Sequence, residues 1–187
     1  MDFSYINFLQ KVAKMVAPSG NEKEVLDLWS NEISAYVSDT YSTSLGNVVA
    51  VKHGTCDCRK KIMLTAHADE IGLIITYIDN DGFLYFNEIG GIDTNLLPGK
   101  VVSIKGINGL IDGVIGVKPV HLQERGNNKQ NLSPENLWID INVKDKEEAL
   151  EFVQIGCVAT LTSDFLVRGS RITGKAMDNR CSLAVLL

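Results

Sequence analysis

No stretch of the 187 residues is apolar over anything near the roughly 20 residues that a membrane-spanning helix needs. A membrane-spanning helix is therefore not expected. Positive charge is not in excess either: 18 Lys and Arg stand against 23 Asp and Glu, a net charge of −5. That balance leaves no electrostatic footprint for nucleic acid or for an anionic membrane surface. Residues 1–5 show no basic region leading into an apolar segment, so no secretory signal is expected. Cysteine is scarce, and none of it stands in the C-x-x-C spacing of a zinc knuckle or redox motif. Cys56 and Cys58 form a C-x-C pair in a polar loop, a spacing that rarely closes into a good disulfide. Cys56, Cys58, Cys157 and Cys181 are read as free thiols of a reducing cytosol, and a cytoplasmic location is expected. What is present is ordinary: 45% hydrophobic and 22% charged residues, which argues against disorder. The length suits one ordinary domain or two small ones.

The first third of the chain alternates helical and extended signals. Residues 2–16 carry apolar side chains partly at helical spacing and are read as a helix, ended by Ala17-Pro18-Ser19-Gly20. Ser19 with Glu22 three positions on has the form of a capping box. Val25, Leu28, Trp29, Ile33 and Val37 then make the core-facing stripe of a second helix. Val48-Val49-Ala50-Val51 reads as a strand. His53 lies in a polar loop and is read as a solvated turn residue. From Ile71 the texture changes. Residues 71–78 and 83–89, joined by Asp79-Asn80-Asp81-Gly82, read as a β-hairpin. The joining segment resembles the start of a calcium loop but lacks the later glutamate, so it is read as a plain turn. Short strands follow at 101–105, 110–118, 137–143 and 157–162, a spacing that suggests a small barrel or sandwich. Asp145 and Glu148 are placed to cap a short helix, and the polar stretch 123–134 is read as a loop.

Chemistry concentrates in Thr65-Ala66-His67-Ala68-Asp69-Glu70. This segment lies between two apolar runs of strand character, Lys61-Ile62-Met63-Leu64 and Ile71-Gly72-Leu73-Ile74-Ile75. Sites in α/β sheets are built at the carboxyl ends of strands. His-x-Asp there offers an imidazole to a metal and a carboxylate to hold that imidazole in one tautomer. A polar turn between two strands fits the same residues. Asp178, in Gly174-Lys175-Ala176-Met177-Asp178-Asn179-Arg180, also has two readings. It is an N-cap of the helix that follows, or a metal ligand at the mouth of a site. The chain ends at Leu187, nine residues past Asp178 and inside an apolar run. That ending is expected of a truncated product, an engineered fragment or a split reading frame.

Several stretches, taken in order and spacing, resemble the metallo-aminopeptidase family that contains glutamyl aminopeptidase and the tetrahedral (TET) aminopeptidases. They are Ala17-Pro18-Ser19-Gly20-Asn21-Glu22, Leu45-Gly46-Asn47-Val48-Val49-Ala50, Ala66-His67-Ala68-Asp69-Glu70-Ile71-Gly72-Leu73, Ile89-Gly90-Gly91, Lys118-Pro119-Val120-His121-Leu122, Trp138-Ile139-Asp140-Ile141 and residues 174–180. The resemblance implies a two-metal hydrolase, with zinc or cobalt, that removes N-terminal residues from peptides. It implies His67 as a ligand of one metal, Asp178 as the carboxylate bridging both, and Asp69 as the carboxylate that orients His67. It implies an α/β aminopeptidase-type catalytic domain, incomplete here, formed by residues 1–70 and 164–187. Residues 71–163 would be an inserted small β-barrel or sandwich for dimerisation, with homo-oligomers from dimer to dodecamer. His121 would lie in this insert, in a structural or loop role; a substrate-facing role across an oligomer interface is the alternative.

The family supplies its glutamate general base, its further acidic ligands and a last histidine beyond the equivalent of Leu187. The 187-residue chain is therefore expected to be inactive as a peptidase and to bind metal weakly or not at all. A non-enzymatic oligomerisation or binding module is the second reading. A glycoside hydrolase is the third, disfavoured because Asp69 and Glu70 are adjacent and would point apart on a strand, whereas glycosidases set two carboxylates across the scissile bond.

Overall fold

The computed structural model describes residues 3–55, 60–118 and 132–187. These divide into two compact units, Met1–Glu70 with Asp164–Leu187, and Ile71–Ser163. The cysteines at 56 and 58, His121 and most of the polar stretch 123–134 lie outside the described residues.

The second unit is a closed barrel. Its strands are β3 (Gly72–Ile78), β4 (Leu84–Ile89), β5 (Val101–Gly106), β6 (Gly109–Val117), β7 (Leu137–Asp140) and β8 (Val158–Leu161). They pair antiparallel in the order β3-β4-β7-β6-β5-β8, with β8 closing on β3. Closure leaves no strand edge unpaired, which solves the edge problem of a small sheet. Every second residue points inward, so Leu73, Ile75, Leu84, Phe86, Ile104, Ile115 and Ile139 fill the interior. The barrel of the sequence reading is thus observed. So is its hairpin turn: Asp79 accepts backbone hydrogen bonds from Asp81 (3.0 Å) and Phe83 (2.9 Å), which spends the carboxylate on the turn itself. One further helix, α3 (Lys146–Phe152), begins as anticipated. The Asp145 side chain accepts from the Glu148 N–H at 2.9 Å, and Glu148 reaches back to the Lys144 N–H at 2.9 Å.

The first unit holds α1 (Phe3–Lys14), α2 (Lys23–Ile33), the hairpin β1 (Asp39–Ser42) and β2 (Val48–Val51), a second hairpin of β9 (Leu166–Arg168) and β10 (Arg171–Thr173), and α4 (Met177–Val185). Its core is Leu9, Val12, Ala17, Val25, Trp29, Ile33, Leu183 and Ala184. The Trp29 indole N–H donates to the Leu183 carbonyl at 3.1 Å, tying α2 to α4.

Three sequence expectations are corrected here. Lys61-Ile62-Met63-Leu64 is not a strand. It pairs with no described segment, and Ile62, Met63 and Leu64 are 87%, 85% and 72% exposed. An apolar run becomes a strand only where a neighbour completes its ladder. The capping box at Ser19 is not formed. The N-cap of α2 is Glu22, with no side-chain cap, and Ser19 turns instead to Asp69. Asp178 is not an N-cap either. Ala176 holds that position, and Asp178 lies within the first turn in a non-helical conformation.

Candidate metal-centre half-site

The site is assembled from three segments far apart in sequence. Its foundation is a buried ion network. Arg180 is fully buried, and its guanidinium donates to the carbonyls of Val12 (2.6 Å), Met15 (2.9 Å), Ala17 (3.3 Å) and Ala68 (2.9 Å). Val12 belongs to the last turn of α1, where its carbonyl accepts only a tight backbone bond from the Met15 N–H at 3.2 Å, and a cation there also meets the negative end of the helix dipole. The Glu70 carboxylate, itself buried, accepts from Lys175 Nζ at 2.6 and 2.9 Å and lies 3.1 Å from Arg180 Nη2. Lys175 Nζ also donates to the Met15 carbonyl at 2.9 Å. Burial pushes both cations below their usual pKa values, against the pull of Glu70. A charge this deep is tolerated only because each donor has an acceptor.

This network joins residues 12–17, 68–70 and 175–180. The backbone repeats the join: the Glu70 N–H donates to the Ala17 carbonyl at 3.2 Å, and Pro18 and Glu70 form a parallel bridge. Asp69 is the neighbour of Glu70, and Asp178 lies between Lys175 and Arg180. Two chemically useful carboxylates are thereby placed on either side of one imidazole.

His67 Nδ1 lies 2.9 Å from Asp69 Oδ1, and Nε2 lies 3.1 Å from Asp178 Oδ1. The second oxygen of Asp69 accepts a short hydrogen bond from the Ser19 hydroxyl. That bond is the main cause holding the Asp69 carboxyl below the usual carboxylate range, opposed by partial burial and aided by His67. Burial opposes the imidazolium of His67. The hydrogen bonds to Asp178 and Asp69 and their charges outweigh it, so the His67 pKa is raised. In physical terms, the gap beside Nε2 favours positive charge. The Asp178 side chain is 96% exposed, so the site is open on that side.

His67, Asp69 and Asp178 are the three residues singled out from the sequence, and all three meet here. Ser19, Glu70, Lys175 and Arg180 were missed as parts of the site, although each lies inside a quoted motif. The missing signal was pairing across 105 residues between Glu70 and Lys175, which no local pattern encodes.

The donors suit a divalent cation in kind: a neutral imidazole nitrogen, freed by its Asp69 partner, and a carboxylate. They do not suit one in number. Catalytic zinc takes three protein ligands, and among the described residues no group of three or more His, Cys, Asp or Glu side chains is placed to hold a metal.

Comparison with known proteins follows the same lines. The model of the M42 glutamyl aminopeptidase family matches residues 46–187. A relative from Acetivibrio thermocellus, itself named only provisionally as an aminopeptidase, is 38% identical over 181 residues, 97% of this chain and 52% of that protein. An aminopeptidase from the archaeon Desulfurococcus kamchatkensis superimposes with a TM-score of 0.89 at 34% identity, over 98% of this chain and 50% of the other. The TET1 peptidase of Pyrococcus horikoshii, described as assembling into a tetrahedron or a large octahedral shell, gives a TM-score of 0.83 at 33% identity, over 97% and 54%. The chain spans about half the length of the curated relatives it matches. Among the described residues no helix is long and apolar enough to cross a membrane.

Proposed function

The chain belongs to the M42 glutamyl aminopeptidase family, and on that footing we propose that residues 1–187 carry one half of the two-metal centre of a peptide-hydrolysing aminopeptidase. The observation that carries this reading is the sandwiching of one imidazole between two carboxylates, with Nε2 facing Asp178 at 3.1 Å. His67 would be a ligand through Nε2, Asp178 would be the carboxylate shared between two cations, and Asp69 would orient His67 through Nδ1. Bound there, a divalent cation such as zinc or cobalt polarises a carbonyl and lowers the pKa of water. The chain's own residues supply the rest. Asp69 keeps the proton on Nδ1, so that the lone pair of Nε2 is presented. The buried Glu70–Lys175–Arg180 network holds the two ligand segments in register. The open side at Asp178 leaves room for a peptide N-terminus.

Among the described residues two donors fall short of a complete centre, so the 187 residues alone are expected to hold zinc or cobalt weakly and to turn over no peptide. We read Met1–Glu70 with Asp164–Leu187 as part of an α/β catalytic domain and Ile71–Ser163 as an assembly barrel inserted into it, a reading that the division into two units supports. Ile107, Leu110, Phe152 and Ile155 are exposed apolar residues of that barrel and support its pairing with a second copy, within homo-oligomers from dimer to dodecamer in the cytoplasm. Glycoside hydrolysis is disfavoured by the geometry. Glu70 is occupied by Lys175 and Arg180, and Asp69 by Ser19 and His67, so these two adjacent carboxylates do not serve as the pair that flanks a glycosidic bond.

The test is a panel of aminoacyl p-nitroanilides assayed with the purified chain and added zinc or cobalt, alongside metal affinity by dye competition. The expected result is no specific turnover and weak binding that falls about tenfold or more in His67→Gln and in Asp178→Asn. Turnover by the chain, or an affinity indifferent to both substitutions, overturns the reading.

A further inference from the structure

The exposed serine between α1 and α2 does more than turn the chain. Ser19 follows Pro18, whose backbone bridges to Glu70, and the carbonyls of Met15 and Ala17 just before it are held by Arg180, with Lys175 also on Met15. After it, the Gly20 N–H donates to Glu22 Oε1 at 2.8 Å, and the Asn21 N–H donates to the Pro18 carbonyl at 2.8 Å. Gly20 has a φ of +87°, a conformation that glycine adopts without strain. The loop is therefore fixed on both sides of the serine. Its hydroxyl is spent on neither helix nor turn: it donates to Asp69 Oδ2, the oxygen that His67 does not use.

A carboxylate held at one oxygen only can rotate about its last torsion. Held at both, it presents Oδ1 to Nδ1 of His67 in one orientation. We infer that Ser19 is a positioning residue of the metal half-site, fixing Asp69 and through it the tautomer and aim of the His67 ring. This rests on the reading of His67 as a ligand through Nε2, and deepens it. Ser19 touches neither substrate nor reacting atoms, and its effect reaches the site only through Asp69.

The test is the long-range proton–nitrogen NMR spectrum of the His67 ring in the nitrogen-15-labelled, metal-free chain, at about pH 9, where histidine is neutral. His67 is assigned by its absence in H67Q. All spectra are taken in the Asp178→Asn background, which removes the carboxylate competing for the proton at Nε2, and the expected result with Ser19 present is a ring protonated at Nδ1. In Ser19→Ala the two tautomers mix, with circular dichroism and melting temperature unchanged, and zinc affinity by dye competition falls about threefold to tenfold. Ser19→Thr, which keeps the hydroxyl, restores the spectrum protonated at Nδ1. A spectrum unmoved in Ser19→Ala but moved in Asp69→Asn overturns the role of Ser19 and leaves the metal reading standing. A spectrum unmoved in both overturns the role of Ser19 together with the orienting role of Asp69.

Discussion

At the scale of single residues, Arg180 and His67 show opposite uses of charge. Arg180 is fully buried, and its removal leaves Glu70 short of a partner and takes the side-chain donor from the Val12 and Ala68 carbonyls. Breaking a buried pair costs about 3–5 kcal/mol. Arg180→Ala is therefore expected to lower stability by about that amount in urea unfolding, far more than the few tenths expected for the exposed Lys23–Asp27 pair. His67 is half exposed, and its charge matters for binding instead. Its raised pKa means that the metal-free native chain binds the proton more tightly than the unfolded chain. The small stabilisation this brings is fully present below the unfolded value near 6.5 and is lost as pH rises through the folded value. Asp178→Asn is expected to bring the His67 pKa down in an NMR titration. Because the proton occupies the nitrogen that a metal would take, metal affinity falls as pH drops through that pKa. His67 and Asp69 stood out in the sequence as a candidate pair because His-x-Asp names its chemistry, whereas Asp178 read locally as an N-cap or a ligand and only the family resemblance favoured the ligand. Arg180 was not legible, because a lone arginine in a polar motif reads as solvated until the fold buries it.

At the scale of elements, the hairpin and barrel strands were legible because alternation and turn residues are local properties. The cap of α3 was legible for the same reason. Asp145→Ala is expected to cost about 1 kcal/mol, the usual worth of an N-cap, measured by denaturant unfolding of the full chain. Gly82→Ala should cost more. Gly82 has φ of +84°, and an added Cβ would meet Val143 Cγ2 at 2.7 Å and the Asp145 carbonyl at 2.9 Å. The expectations that failed were all decided by distant segments, through a competing partner or the lack of one. Ser19, Asp178 and residues 61–64 each have a satisfactory local role, as cap, cap and strand. In the fold, the side chains of Ser19 and Asp178 are drawn away by Asp69 and His67, which are distant in sequence, and 61–64 lacks a described pairing partner. Local propensity decides only where no long-range contact competes.

At the scale of the whole molecule, the two units carry separate cores, one of helices and hairpins and one of barrel side chains. Arg180→Ala should therefore shift the unfolding of the first unit and leave that of the barrel where it was. A single cooperative transition moving as one in calorimetry would count against that separation. The central claim is that His67 and Asp178 form half of a metal centre, and the most direct measurement is the same ring spectrum of His67 during titration with zinc. The account predicts that Nε2 of His67 shifts while the proton on Nδ1 is retained, and that Asp178→Asn weakens the response. Zinc that moves His53 or His121 and leaves the His67 ring untouched would contradict it.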